Sequence, residues 1–178
     1  MHYIVELEGA LADVRECYSA VFSAAFRQFG IPFDEGKLDD YLSLPPDRLF
    51  EEYYTGCTCR FRDFMTLLVG LFDRNYSLMI PNGELVSELS DAKKAGSRIG
   101  VVSRNYEMYA QKFISEHLGP VDSVVGADRT PGQIPGRDAV DICLKEMGVP
   151  PEEVVLITSR REFAGSSGIT NCRILERI

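Results

Sequence analysis

The second half of the chain sets the strongest constraint, because short apolar runs there alternate with amphipathic stretches of helical spacing. "RIGVVS", "SVVG", "EVVLIT" and "CRIL" have the length and β-branched content of strands. "ELVSELSDAKKAG", "NYEMYAQKFISEHLG" and "DAVDICLKEMG" carry apolar residues at helical intervals, and a shorter helix is expected near "EFAGSS". This alternation predicts a parallel sheet, since parallel neighbours need a crossover of about a dozen residues or more. The expected fold is therefore α/β, doubly wound, with helices on both faces of the sheet.

The first residues supply a further strand, "YIVEL" at residues 3 to 7. A helix over "ADVRECYSAVFSAAFRQFG" follows, with Cys17, Val21, Phe22, Ala25, Phe26 and Phe29 on its apolar face and Gly30 as its stop. From Ile31 to about Leu78 the pattern stays helical, is broken by "SLPPD" and "YTGCTC", and contains no clear strand. The organisation expected is a core of residues 1–14 and 79–178 with a helical insertion over 15–78. Tyr53, Tyr54, Phe61, Phe64 and Phe72 read as packing inside that insertion rather than as a cofactor box. In open sheets of this kind a ligand sits at the C-terminal strand ends near the switch in strand order. The segments to inspect are then "ELEG", "VSRN" and "ITSRRE".

Charge narrows the partners. Nineteen Lys and Arg against 27 Asp and Glu give a net charge of −8, the wrong sign for long-range attraction to nucleic acid or an anionic membrane surface. No apolar run approaches the ~20 residues of a membrane span, and "MHYIVELEG" lacks the features of a signal peptide, so a cytoplasmic location is expected. Five cysteines without paired C-x-x-C spacing are expected to be reduced thiols. The close pair Cys57 and Cys59 has no second pair to support a soft metal and is read as a loop feature. His2 and His117 have no partner at metal-ligand spacing.

"VELEGALAD", the helical insertion, "IPNGELVSELSDAKKAGSRIGVVSRN" and "PGRDAVDICLKEMGVPPEEVVLITS" together resemble the haloacid dehalogenase-like superfamily, in its phosphoglycolate phosphatase and β-phosphoglucomutase-like group with a helical cap. The resemblance implies a Rossmann-type core and a phosphoryl-transfer site. That site begins with D-x-D-G-T-L, where the first Asp is the nucleophile and the second the general acid and base. A Ser or Thr after the second strand and a Lys before a later helix hold phosphate, and Asp residues after a late strand hold Mg2+.

On this sequence the two aspartates fall on Glu6 and Glu8, the catalytic positions. Gly9 is kept, the Thr position is Ala10, and Leu11 and Asp13 match. Ser103, with Arg104 and Asn105, takes the substrate-binding position of the second motif. The phosphate-binding Lys position falls on Ile134, between Gln133 and Pro135, and the acidic metal positions carry Thr158, Ser159, Arg160, Arg161 and Glu162. Ser103 also reads as a helix N-cap, as does Asp138. No metal ligand is assigned. No cofactor is expected unless Mg2+ serves a working site.

The substitutions bear on catalysis because phosphoryl transfer depends on positioning and electrostatics. The extra methylene of a Glu displaces the attacking oxygen by about 1 Å or more, which costs about a hundredfold. Loss of a stabilising charge costs ~10² to 10³, though such losses do not add once a site has failed. One of Arg160 and Arg161 is expected to reach Glu6 or Glu8 and stand in for the cation, unless both point into water. The functional reading is a degenerate phosphatase site, weak or inactive, on a protein that binds a ligand or partner. The alternative is a phosphatase of small phosphorylated metabolites working through Glu6. Arg104, Arg129 or Arg137 with Ser103 and the "EGAL" backbone would serve an anion, and a partner surface on the insertion would show as an exposed apolar patch.

Overall fold

The computed structural model describes residues 1–131 and 136–176. It divides into two compact units, Met1–Asp13 with Pro81–Ile178, and Val14–Ile80. The chain opens with strand β1 (His2–Glu6), and two short strands, β2 (Ala12–Asp13) and β3 (Ile80–Pro81), flank the helical segment in sequence.

The helical unit contains α1 (Arg15–Gln28), α2 (Leu38–Ser43), α3 (Pro46–Tyr53) and α4 (Phe61–Asn75). Helix α1 buries Cys17, Tyr18, Val21, Phe22, Ala25 and Phe26, a stripe at helical spacing that packs along α4. Aromatic rings fill the interior: Phe26 lies 5.0 Å from Tyr41 and 5.3 Å from Tyr54, and Tyr54 lies 4.6 Å from Phe64. Across "FMTLLVGLF" Phe64, Leu68 and Leu71 are buried and no apolar side chain is fully exposed.

The other unit is built on a parallel sheet with the order β5-β4-β1-β6-β7, its later strands being β4 (Ile99–Val102), β5 (Ser123–Val125), β6 (Val154–Thr158) and β7 (Cys172–Ile174). Connections run through α5 (Gly83–Lys94), α6 (Glu107–His117), α7 (Arg137–Met147) and α8 (Arg161–Ser166). Strand β1 is central, flanked by β4 and β6, so Ile4 and Val5 are both buried although they face opposite sides. Along one face Ile4, Val102, Val125, Val154 and Leu156 pack with Ala139, Val140, Cys143 and Met147 of α7. Gly100 allows that approach, since a Cβ there would lie 2.8 Å from Met147 Sδ and 3.3 Å from Cys143 Sγ. Because β4 and β5 lie to one side of β1 and β6 and β7 to the other, strand order reverses beside β1. The C-terminal ends of β1, β4 and β6 are therefore the ligand position of such sheets.

Three sequence expectations need correction. Helix α6 starts later than Ser103 allows, with Tyr106 in the cap position, and Ser103 is spent elsewhere. Asp138 lies inside the first turn of α7, behind Gly136, where its Oδ1 accepts from the Ala139 N–H at 2.9 Å. Cys57 and Cys59 are not two reduced thiols but a disulfide. Gly56, at φ 91°, turns the chain just ahead of them, and their Cα atoms stand 5.5 Å apart, within the span a bridge requires. Cys17, Cys143 and Cys172 are free.

Candidate functional site

The register of the sheet assembles the site. Glu6, the last residue of β1, stands opposite Val102 on one side. On the other side the pairing of Val5 with Ile157 brings Thr158 level with it. Past the strand end the chain turns tightly. Gly9, at φ 83°, donates its N–H to the Ala12 C=O at 2.8 Å, and the Leu11 N–H is shared between the Glu6 and Leu7 carbonyls at 3.1 Å. These two N–H groups of "EGAL" are thus occupied by the turn rather than open to an anion. Asn82 secures the turn from the returning chain. Its N–H donates to the Leu11 C=O at 2.9 Å and its Nδ2 to the Ala10 C=O at 3.1 Å, while its Oδ1 caps α5 by accepting from the Leu85 N–H at 3.2 Å.

Glu6 and Glu8 are both buried, at 0% and 1% exposure. A buried carboxylate must be compensated, and each is. On Glu6, Thr158 Oγ1 donates to Oε2, and Arg160 Nε donates to Oε1 at 2.5 Å. Arg104 Nε adds a second positive charge 3.8 Å from the same oxygen. On Glu8, Ser103 Oγ donates to Oε1 at 2.7 Å and the Arg104 N–H to Oε2 at 3.0 Å. Ser103 Oγ also accepts from the Asn105 N–H at 3.0 Å, which locks the turn after β4. Thr158 Oγ1 likewise accepts from the Arg160 N–H at 3.0 Å, and the Arg160 guanidinium lies 5.0 Å from the centre of the Phe163 ring.

Five of the residues expected from sequence meet at the strand ends: Glu8, Ser103, Arg104 and Asn105 are joined by hydrogen bonds, Glu6 joins them through the ion pair with Arg104, and Gly9 forms the turn beneath them. Of the two late arginines it is Arg160 that reaches the carboxylate, whereas Arg161 and Glu162 are exposed on α8. Arg129 goes elsewhere, to Glu146 at 2.6 Å and to the Val124 C=O at 3.0 Å, and Arg137 pairs with Asp141 at 3.7 Å. Gln133, Ile134 and Pro135, which hold the expected lysine position, lie outside the described residues. Sequence reading missed the roles of Thr158 and Asn82. A hydroxyl ending the strand next to β1 was the available signal for Thr158.

A divalent cation does not fit this arrangement. Mg2+ takes near-octahedral oxygen ligands, usually one or two carboxylates with several waters, and is repelled by a cation already seated on them. Here every carboxylate oxygen of Glu6 and Glu8 already accepts a hydrogen bond, and two guanidinium groups stand beside Glu6. Among the described residues no group of three His, Cys, Asp or Glu side chains converges. Beside the β6 end, the buried donors Ser159 Oγ and Arg160 Nη2 have no hydrogen-bond partner among the described residues.

Comparison with known proteins agrees with the fold. A haloacid dehalogenase-like hydrolase of Bacteroides fragilis superposes with a TM-score of 0.79 at 20% identity, covering 94% of this chain and 82% of that one. CbbY of Rhodobacter sphaeroides, solved in complex with phosphate, gives 0.78 at 20% identity, over 96% and 84% of the two chains. A Lactobacillus plantarum protein described as a phosphoglycolate phosphatase gives 0.74 at 14% identity, over 97% and 84%. No curated protein matches the sequence. Residues 3–159 match the family described as haloacid dehalogenase-like hydrolase, and the chain belongs to that family.

Proposed function

We propose that this chain is a member of the hydrolase family whose phosphoryl-transfer site has become degenerate, leaving a protein that is catalytically weak or inactive and acts by binding a ligand or partner. One observation carries this reading: the carboxylate in the nucleophile position, Glu6, is fully buried and held by Thr158 and Arg160, with Arg104 close by. An attacking oxygen must be free to lie in line with the leaving oxygen, and both oxygens of Glu6 are engaged. Arg160 supplies from within the chain the positive charge that Mg2+ supplies in the family. A small phosphorylated metabolite or another anion is the ligand class this reading favours, because a fold neighbour holds phosphate and because Arg160 Nη2 has hydrogen-bonding capacity to spare.

The second reading, a phosphatase of small phosphorylated metabolites using Glu6, is favoured by the survival of Ser103 and Glu8 side by side at the strand ends. Release of phosphate from a panel of small phosphomonoesters with Mg2+ separates the two. Silence in the parent protein is the expected result. Turnover that is lost in Glu6→Ala would overturn the degenerate reading and make Glu6 a working nucleophile. Activity gained in a Glu6→Asp, Ile134→Lys double variant would show a pocket that still supports the reaction.

A further inference from the structure

The loop between α3 and α4 carries a sulfur pair to which the strand-end site gives no role. We propose that Cys57 and Cys59 form a thiol–disulfide exchange site whose co-reactants are low-molecular-weight thiols and disulfides of the glutathione class.

Both cysteines are half-exposed and Thr58 between them is exposed, so a small thiol has access. The turn is set by Gly56 and by the Cys57 N–H donating to the Tyr54 C=O at 3.2 Å. The bridge spans a sequence separation of only 2. The entropy removed from an unfolded chain grows with the logarithm of loop length, so this bridge does little to hold the fold together. A bridge that is exposed and contributes little to stability belongs with the labile disulfides rather than the structural ones.

Position makes the two sulfurs unequal. Cys59 directly precedes Arg60, the cap residue of the fifteen-residue helix α4, and no side chain caps that helix end. Cys59 thus stands next in sequence to the positive end of α4 and to the Arg60 charge, whereas Cys57 is tied into the preceding turn through its N–H. The remaining thiols provide an internal contrast. Cys17 and Cys143 are buried, and burial pushes each thiol up to about 12. Cys172 is half-buried and donates to the Ile169 C=O at 3.2 Å.

The exchange runs in two displacements. A thiolate RS⁻ attacks Cys57 Sγ, the protein S–S bond breaks, and Cys59 leaves as its thiolate beside the positive end of α4 in sequence. A second RS⁻ attacks the external sulfur of the mixed disulfide and frees Cys57 as a thiolate with release of RSSR. The two protein thiolates take up the two protons that the thiols gave up. Two electrons pass from 2 RSH to the protein, and oxidation by RSSR reverses each step.

The full chain, equilibrated in reduced and oxidised glutathione at varied ratio, quenched with iodoacetamide and read by peptide mass spectrometry, tests this. Cys57 and Cys59 are expected to pass together from unlabelled to labelled as the ratio of reduced thiol rises, with Cys17 and Cys143 unlabelled throughout in the native protein. Cys59→Ser is expected to stop at one glutathione held on Cys57. Full labelling of both cysteines in oxidised glutathione, no labelling in reduced glutathione, or adducts confined to Cys172 would each overturn the assignment. None of these readouts involves phosphate release, so failure here leaves the reading of the strand-end site untouched.

Discussion

Arg160 and Glu6 form the central charge pair of the strand-end site, with Arg160 Nε donating to Glu6 Oε1 at 2.5 Å and Thr158 holding the second oxygen. The pair spans 154 residues of sequence, yet parallel pairing of β1 with β6 makes them spatial neighbours. Removing Arg160 strands the Glu6 charge at a fully buried position, and removing Glu6 leaves a half-buried guanidinium without its partner. Arg160→Met is therefore expected to destabilise the protein by roughly 2–4 kcal/mol, softened by the Arg104 guanidinium 3.8 Å from the same oxygen. Glu6→Gln is expected to cost a similar amount, and the double variant clearly less than the sum, with a coupling of about 1–3 kcal/mol. Urea unfolding of the four proteins reads the coupling, and strict additivity would sink the idea that the pair acts as a unit.

Asn82 serves two masters, the start of α5 and the turn that follows β1. Asn82→Ala removes both the acceptor for the Leu85 N–H and the donor to the Ala10 C=O, and is expected to cost about 1–2 kcal/mol. Asn82→Asp keeps the cap and loses only the donor, so its loss should be intermediate. Equal losses in the two variants, measured by the same unfolding titration, would mean that the bond to the turn carries the effect and the cap does not.

The sheet and its switch point were legible in sequence because parallel strands write themselves as continuous apolar runs between helices of crossover length. Glu6, Glu8 and Ser103 were legible as well, since their places follow from strand ends. Side-chain pairing was only half legible. The sequence offered two adjacent arginines, and nothing local distinguishes Arg160, whose backbone is tied to Thr158, from Arg161, which enters α8 and faces outward. Ser103 looked like a helix cap because a hydroxyl before a helix usually is one. Here the buried Glu8 carboxylate claims it, and burying a charge costs more than losing a cap.

Glu146 gives the protein an acid-sensitive contact. The hydrogen bond from Arg129, joined by one from Ser123 at 2.7 Å, holds its carboxyl below the ordinary range. A carboxylate depressed in the folded state contributes stability that is complete above its unfolded pKa and is lost as pH falls through the lower, folded value. The parent should therefore lose stability on acidification more steeply than Glu146→Gln, and the two curves should converge at the acid end. Unfolding midpoints measured from neutral to acid pH check this, and parallel curves would deny the contact any pH-linked role.

Magnesium offers the sharpest comparison between this site and that of its family. With all the oxygens of Glu6 and Glu8 accepting hydrogen bonds and Arg160 on Glu6, the described residues of the parent offer no ready ligand set for the ion. Binding to the folded state alone would raise stability by about 2.7 kcal/mol at a hundredfold excess over Kd, a shift of several degrees. The melting temperature of the parent is expected to be the same with and without millimolar Mg2+ at matched ionic strength. Arg160→Asp removes the guanidinium and adds a carboxylate beside Glu6, so it should be less stable in the absence of the ion and recover part of that loss when Mg2+ is added. A magnesium-dependent rise in the parent would show that Arg160 yields to the ion, and the internal charge pair would then be one state of a site that still accepts metal.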